Sequence, residues 1–292
     1  VGNKTSGALP AAWRKHERRW KNNRYVYAVI SRRSRGLSLG INLNPGKECS
    51  FNCVYCQVDR RIPPTLRKVN LEKLKEELDL VLKAEQDGSL YADDPYSLLN
   101  AAERGVRDIA FSGDGEPTAV PSFKKAVRIA AEARRRFGLE TATLVLITNG
   151  AYLNKPAVQA ALEILDENNG EIWAKLDAGS EAYFQRTNRP NVTLNQILDN
   201  IRSAARIRPL VIQSLWFRSD GVVPAPEEVE AYCGRVNDLL SSGARIKKLQ
   251  LYTIARDPAV AFVSALSNDE LDQIATTVKP RVPVPVEIFY SA

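Results

Sequence analysis

The sequence predicts an α/β protein with a mainly parallel sheet, and two observations carry this expectation. Apolar, β-forming runs alternate along the chain with stretches of helical period. The residues suited to chemistry fall just after those runs rather than within the helices, which is where parallel α/β sheets gather their working groups. A chain of 292 residues, 44% hydrophobic and 26% charged, has enough apolar side chains for a substantial core. One large domain is expected over 36–292, preceded by a basic extension over 1–35.

The first core strand is expected over 37–43, ending in the turn Asn44-Pro45-Gly46. Leu71, Leu74, Leu78 and Val81, spaced by three and four, predict a helix over 71–84 with Asn70 as its N-cap. Residues 85–105 read as an insertion with short helices. The second strand, 107–112, runs into Gly113-Asp114-Gly115-Glu116-Pro117, and a helix over 122–137 follows. The third strand, 143–148, precedes Asn149-Gly150 and a helix over 157–166; the fourth is 172–177. Thr193 and Gln196 form a capping box opening a helix over 194–206. The fifth strand, 210–217, leads to a helix over 226–241, and the sixth is 248–254. Ser267 and Glu270 are a second capping box, for a helix over 269–278, and 284–290 makes a final strand. Six strand–helix units are too few for a closed eight-fold barrel.

Three cysteines, Cys49, Cys53 and Cys56, stand within eight residues, with Tyr55 beside the third. Thiolates this close can ligate one iron–sulfur cubane, and three of them leave one of its four irons without a protein ligand. A zinc site would usually show four ligands in two close pairs. Here a fourth would have to come from Cys233, in a predicted helix, or from His16, the one histidine. Cys233 reads more simply as a small buried hydrophobe. Nothing suggests secretion or a membrane: no run approaches 18 apolar residues, and Arg14, Lys15, Arg18 and Arg19 occupy the place of an apolar signal core. Reduced thiols in the cytoplasm are expected.

The cysteine spacing resembles the cluster loop of the radical S-adenosylmethionine (radical SAM) enzymes. Gly113-Asp114-Gly115-Glu116-Pro117 resembles that family's Gly-Gly-Glu-Pro motif, with Asp114 as a subgroup variant. The resemblance implies a partial (β/α)6 TIM-like barrel and a [4Fe-4S] cluster on Cys49, Cys53 and Cys56. It also implies S-adenosylmethionine on the open iron, cleaved reductively to a 5'-deoxyadenosyl radical that abstracts hydrogen from a substrate. By the same resemblance, Gly113, Asp114, Gly115, Glu116 and Pro117 line the methionine amino group, Tyr55 lies near adenine, and Asp177 and Ser180 lie near ribose or carboxylate. Asn149 and Gln213 are further candidates for cofactor contact. Lys175 and Asp177, two apart on a strand, face the same way, either as site groups or as a structural ion pair. With a single histidine, the candidates for catalysis are Lys175, Tyr252 and Arg256, the last able to hold an anionic group.

Ser31-Arg32-Arg33, Leu176-Asp177-Ala-Gly-Ser180 and Asn188-Arg189-Pro190 resemble the group related to the wyosine-base enzymes of tRNA modification. Archaeal members of that group carry further cysteines for a second cluster, and only Cys233 remains here. The resemblance therefore implies a one-cluster, monomeric oxidoreductase or transferase of unassigned reaction, with flavodoxin or ferredoxin as electron donor. The net charge of +7 is uneven: nine Lys or Arg residues lie between Trp13 and Arg35, interleaved with Trp13, Trp20, Tyr25 and Tyr27. Such a mixture suits phosphate contact and base stacking; its plain alternative is a solvated basic helix followed by a strand. Two classes stay open, a radical enzyme acting on RNA, a nucleotide or another small molecule, and a non-radical iron–sulfur or zinc protein that binds RNA or carries electrons.

Overall fold

Alternation of buried and half-buried side chains sets the first strand, β1 (Val26–Ser31), and a tight turn returns the chain as β2 (Gly36–Ile41), its antiparallel partner. The structure, a computed structural model, describes residues 20–291 apart from 65, 67 and 257. After β2, each further strand of the main sheet is parallel to its neighbour: β3 (Val106–Phe111), β4 (Thr143–Thr148), β5 (Gly170–Lys175), β6 (Leu210–Leu215), β8 (Ile246–Tyr252) and β10 (Val286–Phe289). They lie side by side in chain order, β1-β2-β3-β4-β5-β6-β8-β10. β7 (Phe217–Ser219) and β9 (Val263–Ala265) form a separate antiparallel pair.

Seven helices are described: α1 (Leu71–Gln86), α2 (Phe123–Arg136), α3 (Pro156–Asp166), α4 (Glu181–Asn188), α5 (Leu194–Ile207), α6 (Pro226–Ser241) and α7 (Asn268–Val278). A strand order that never reverses keeps the connecting helices on one face, and the sheet curls into a partial barrel. The strands divide accordingly. Ile109, Phe111, Leu144, Leu146, Ile172, Leu210 and Ile212 belong to the main core with the helices, while Ala110, Val145, Trp173 and Val211 form a small separate cluster on the other face. Asn70 caps α1, and both expected capping boxes, Thr193 with Gln196 and Ser267 with Glu270, are formed.

Three elements go beyond the sequence expectation. β1 carries the sheet into the stretch expected as a basic extension, and its start is held by the buried Glu77 carboxylate of α1, which accepts from the N–H groups of Arg24, Tyr25 and Val26 at 2.9, 2.8 and 3.1 Å. The expected fifth strand breaks at Trp216, whose N–H turns to the Tyr252 carbonyl (2.9 Å), so β6 and β7 are separate. α4 has eight residues, too short for a readable period. Trp13, His16 and the basic residues from Arg14 to Arg19 lie outside the described residues. No described helix is long and apolar enough to cross a membrane.

Candidate active site

Where β2 ends, side-chain amides take over from ladder bonds. The Asn42 Oδ1 accepts from the N–H groups of Asn44 (3.0 Å) and Asp114 (3.2 Å), and its Nδ2 donates to the Asp114 carboxylate at 2.7 Å. This couples the exit of β2 to the turn after β3. Residues 49–56 form neither helix nor strand. They hang on the end of α4: the N–H of Asn52 donates to the Asn188 carbonyl (3.0 Å), that of Val54 to the Thr187 carbonyl (2.9 Å), and Phe51 packs edge-on to Phe184 at 5.5 Å.

Cys49, Cys53 and Cys56 line one cavity of about 320 Å³, together with groups from the ends of the strands. Every one of the three sulfurs meets an N–H donor. The Phe51 N–H (3.5 Å) and Asn149 Nδ2 (3.8 Å) donate to Cys49 Sγ, Asn188 Nδ2 to Cys53 Sγ (3.4 Å) and Arg60 Nη1 to Cys56 Sγ (3.5 Å). Such donors favour charged sulfur over neutral thiol, and hydrogen bonds to sulfur are a main lever on a cluster's potential. Burial works the other way in the bare protein, raising the Cys49 thiol and pushing the Cys53 thiol up to about 12. Among the described residues, no three His, Cys, Asp or Glu groups converge on a single ion position. A cubane asks for something else, one thiolate per iron around its faces, so the donor-lined triplet fits that group. Cys233 is buried in the core on α6, away from the triplet's set of donors.

The glycine-rich turn packs closely against the rest of the chain. A Cβ on Gly115 would stand 1.9 Å from the Glu48 carbonyl oxygen, and one on Gly113 would stand 2.4 Å from Asn42 Oδ1. For Gly115 the close neighbour is the backbone that leads into the cysteine loop. Glu116, 2% exposed, is surrounded by donors: Thr118 N–H at 3.1 Å, Thr148 Oγ1 at 2.7 Å, Asn149 N–H at 2.8 Å and the Thr118 hydroxyl. Burial still holds its carboxyl above the usual range. Its oxygens thus fasten the end of β4 to the turn after β3 and set Asn149, whose Nδ2 also donates to Ser50 Oγ at 2.9 Å. Pro117 opens a buried 3-10 turn and does not line the cavity.

Below the cysteines, Asp177 is the centre of a buried polar group. It accepts from Leu215 N–H (2.8 Å), Asn188 Nδ2 (3.1 Å) and the Tyr55 hydroxyl, and its carboxylate lies 3.6 Å from Lys175 Nζ. Burial, with the Asp177 charge next, raises the Tyr55 hydroxyl well above its ordinary value. For Lys175 burial is the largest single influence and would lower the pKa, but Asp177, Tyr252 and Cys53 together outweigh it and the ammonium is held above its ordinary value. Lys175 therefore stays charged, donates to Tyr252 Oη at 2.8 Å, and stands 4.8 Å from the centre of the Tyr55 ring. The inward-facing ion pair foreseen from strand spacing is present, with Asp177 reaching the cavity only through its partners.

Of the expected site residues, Tyr55, Gly113, Asp114, Gly115, Glu116, Asn149, Lys175, Gln213, Tyr252 and Arg256 share the cavity with the cysteines. Ser180 does not. It caps α4, donates to Glu228 at 2.5 Å, and lines a second cavity of about 740 Å³ on the other side of the cysteine loop. Gln213 Nε2 donates to Gln250 Oε1 (2.8 Å), leaving Gln213 Oε1 buried without a partner among the described residues. The Arg256 carbonyl accepts from Gln57 (3.2 Å), which ties the loop after β8 to the cysteine loop. Sequence reasoning passed over Asn188, Arg60 and Asn42 as site residues. Only Asn188 left a trace, within the Asn188-Arg189-Pro190 run.

Residues 43–215 match the family model of the Radical SAM superfamily. The chain is 24% identical over 270 residues to a Brachyspira hyodysenteriae protein named GTPase Obg, covering 92% of this chain and 35% of that protein. It is 26% identical over 262 residues to a UPF0026 protein of Helicobacter pylori, covering 86% and 72%. Among solved structures, Streptococcus suis SuiB bound to S-adenosylmethionine has a TM-score of 0.55 at 12% identity, covering 89% of this chain and 49% of SuiB, a likeness of fold. The chain thus spans about a third of the first relative's length and about half of SuiB's.

Proposed function

Because this chain belongs to the radical SAM superfamily, we propose that it is a one-cluster radical enzyme, with Cys49, Cys53 and Cys56 holding a [4Fe-4S] cluster and S-adenosylmethionine on the iron they leave open. When bound, these groups supply one-electron cleavage of S-adenosylmethionine and a carbon radical that takes hydrogen from the substrate. The observation that carries the reading is the N–H donor at every sulfur of the cysteine triplet.

The chain's own residues have distinct work in this scheme. Asn149, Asn188 and Arg60 stabilise charge on the three sulfurs, and Glu116 fixes Asn149 by taking its backbone N–H. The turn Gly113–Glu116, Asn149, Tyr55 and Gln213 would hold the cofactor, and Gln213 Oε1, without a partner among the described residues, would be free to accept an N–H or O–H group. Lys175 keeps its proton and polarises the Tyr252 hydroxyl, so Tyr252 Oη is the group able to hold or pass a proton at the cavity wall. Arg256 faces the anionic end of cofactor or substrate. Ser180 has no part in this scheme, its hydroxyl being engaged by Glu228 and the cap of α4.

The substrate class proposed is a nucleotide, an RNA or another small molecule, with electrons from a flavodoxin- or ferredoxin-type donor. The anaerobically reconstituted protein, given a strong reductant and S-adenosylmethionine, is expected to form 5'-deoxyadenosine, and Cys53→Ala to lose that product. A preparation with one characterised cluster that forms none would leave a non-radical iron–sulfur or zinc protein.

A further inference from the structure

The cavity holds a cation, Arg33, that makes no hydrogen bond or ion pair with the described residues. Lys175 is engaged by Tyr252 and Asp177, Arg60 by Cys56 and the Lys47 carbonyl (3.2 Å), Arg32 by the Tyr290 carbonyl, and Arg256 has its own interactions. Arg33, on the turn between β1 and β2, is half-buried and lines the same cavity. Its guanidinium lies 5.4 Å from the Trp173 ring centre and 5.5 Å from that of Tyr252, with no hydrogen bond or ion pair to a described residue. Contacts with aromatic rings satisfy charge but not N–H groups, and a guanidinium has five of these in one plane. Of the acids lining the cavity, Asp108 accepts from Ser38 Oγ (2.5 Å) and feels the Arg33 charge without an ion pair to it, while Asp114 accepts from Asn42 and Glu116 from its ring of donors.

The position is held from two sides. Arg32, next in the turn, bonds the Tyr290 carbonyl just past β10, so the hairpin reaches across to the far edge of the sheet. Trp173 is held by its own Nε1, which donates to Glu171 at 2.9 Å. Beside Arg33 stand the rings of Trp173 and Tyr252, and the same cavity is lined by the apolar or aromatic side chains of Tyr27, Val29, Ile147 and Leu215.

We propose that this lumen binds a small planar oxyanion, a ring bearing one carboxylate or phosphate, with the oxyanion in the fork of Arg33 and the ring against the aromatic wall. As the substrate of the reaction, it rests on the reading above.

The test is calorimetry on the cluster-reconstituted protein without reductant, titrating orotate, nicotinate and uridine 5'-monophosphate against uracil, nicotinamide and uridine, with acetate and inorganic phosphate as ring-free anions. At least one ring anion is expected to bind tenfold or more tighter than its neutral counterpart and than either ring-free anion. Arg33→Gln is expected to erase that preference while the neutral ligand binds as before, and Arg33→Lys to restore part of it, because the charge returns without the fork. The proposal is overturned if no ring anion shows the preference, if Arg33→Gln leaves it intact, or if a uridine hexanucleotide binds through Arg33 more tightly than the monophosphate. Cleavage of S-adenosylmethionine without any such preference would overturn this inference alone; anion preference without cleavage would overturn the reaction instead.

Discussion

Asp177 has a reach well beyond its neighbours in sequence: one carboxylate takes bonds from Leu215, Asn188 and Tyr55 and faces Lys175 at 3.6 Å. Its side chain has no exposure and that of Lys175 has 18%, so neither charge is well hydrated. Replacing Asp177 with Asn would leave the ammonium without its counter-charge and set an amide where Leu215 N–H and Tyr55 both donate. A loss of roughly 3 kcal/mol is expected, in line with breaking a buried pair from one side, read from denaturant unfolding of the reduced protein. Strand spacing alone showed that Lys175 and Asp177 face one way. It could not show Asn188, which comes from a different element and whose amide meets both Cys53 and Asp177.

The helix ends are the most local feature of the fold. In α7 the capping box of Ser267 and Glu270 closes as its four-residue signature predicts, and Arg218 of β7 adds two contacts to the Glu270 carboxylate, at 3.1 and 2.6 Å. The Arg218 hydrogen bond, followed by the Ser267 N–H, holds the Glu270 carboxyl below its usual value. A depressed folded value stabilises above the unfolded pKa, about 4.3 for Glu, and that benefit is lost as pH falls through the folded value. Glu270→Gln is therefore expected to cost a few tenths to about 1 kcal/mol at pH 7, and the difference between wild type and variant to shrink as pH falls through the folded value of Glu270, followed by chemical denaturation at neutral and acid pH. The capping pair was legible because its partners are three residues apart. Arg218 was not, since β7 has three residues and pairs with β9 across a long separation. The turn after β3 makes the same point: Gly113-Asp114-Gly115 was visible as a motif, but the backbone that requires Gly115 belongs to Glu48 on another loop.

At the scale of the molecule, the charge of +7 is concentrated toward the N-terminal part of the sequence, while the cavity accounts for most of its own charges internally. Any affinity of the whole chain for single-stranded RNA is expected to be electrostatic, with log K falling by about 0.7 per phosphate contact for each unit of log salt. Filter binding across a salt series checks this, and a flat response would count against an RNA partner. The sequence by itself determined the alternation of strands and helices, the capped helix starts, the cysteine triplet and the placing of chemistry after strand ends. Each depends on spacings of a few residues, which the 2.0 and 3.6 residue periods convert directly into geometry. Only the tertiary structure decided that β1 joins the sheet, that Ser180 turns away to Glu228, that Glu116 clamps two loops, and that Arg33 stands over Trp173 without an acceptor among the described residues. These arise between groups far apart in the chain, where burial and the need to satisfy every polar group choose partners that no local pattern encodes.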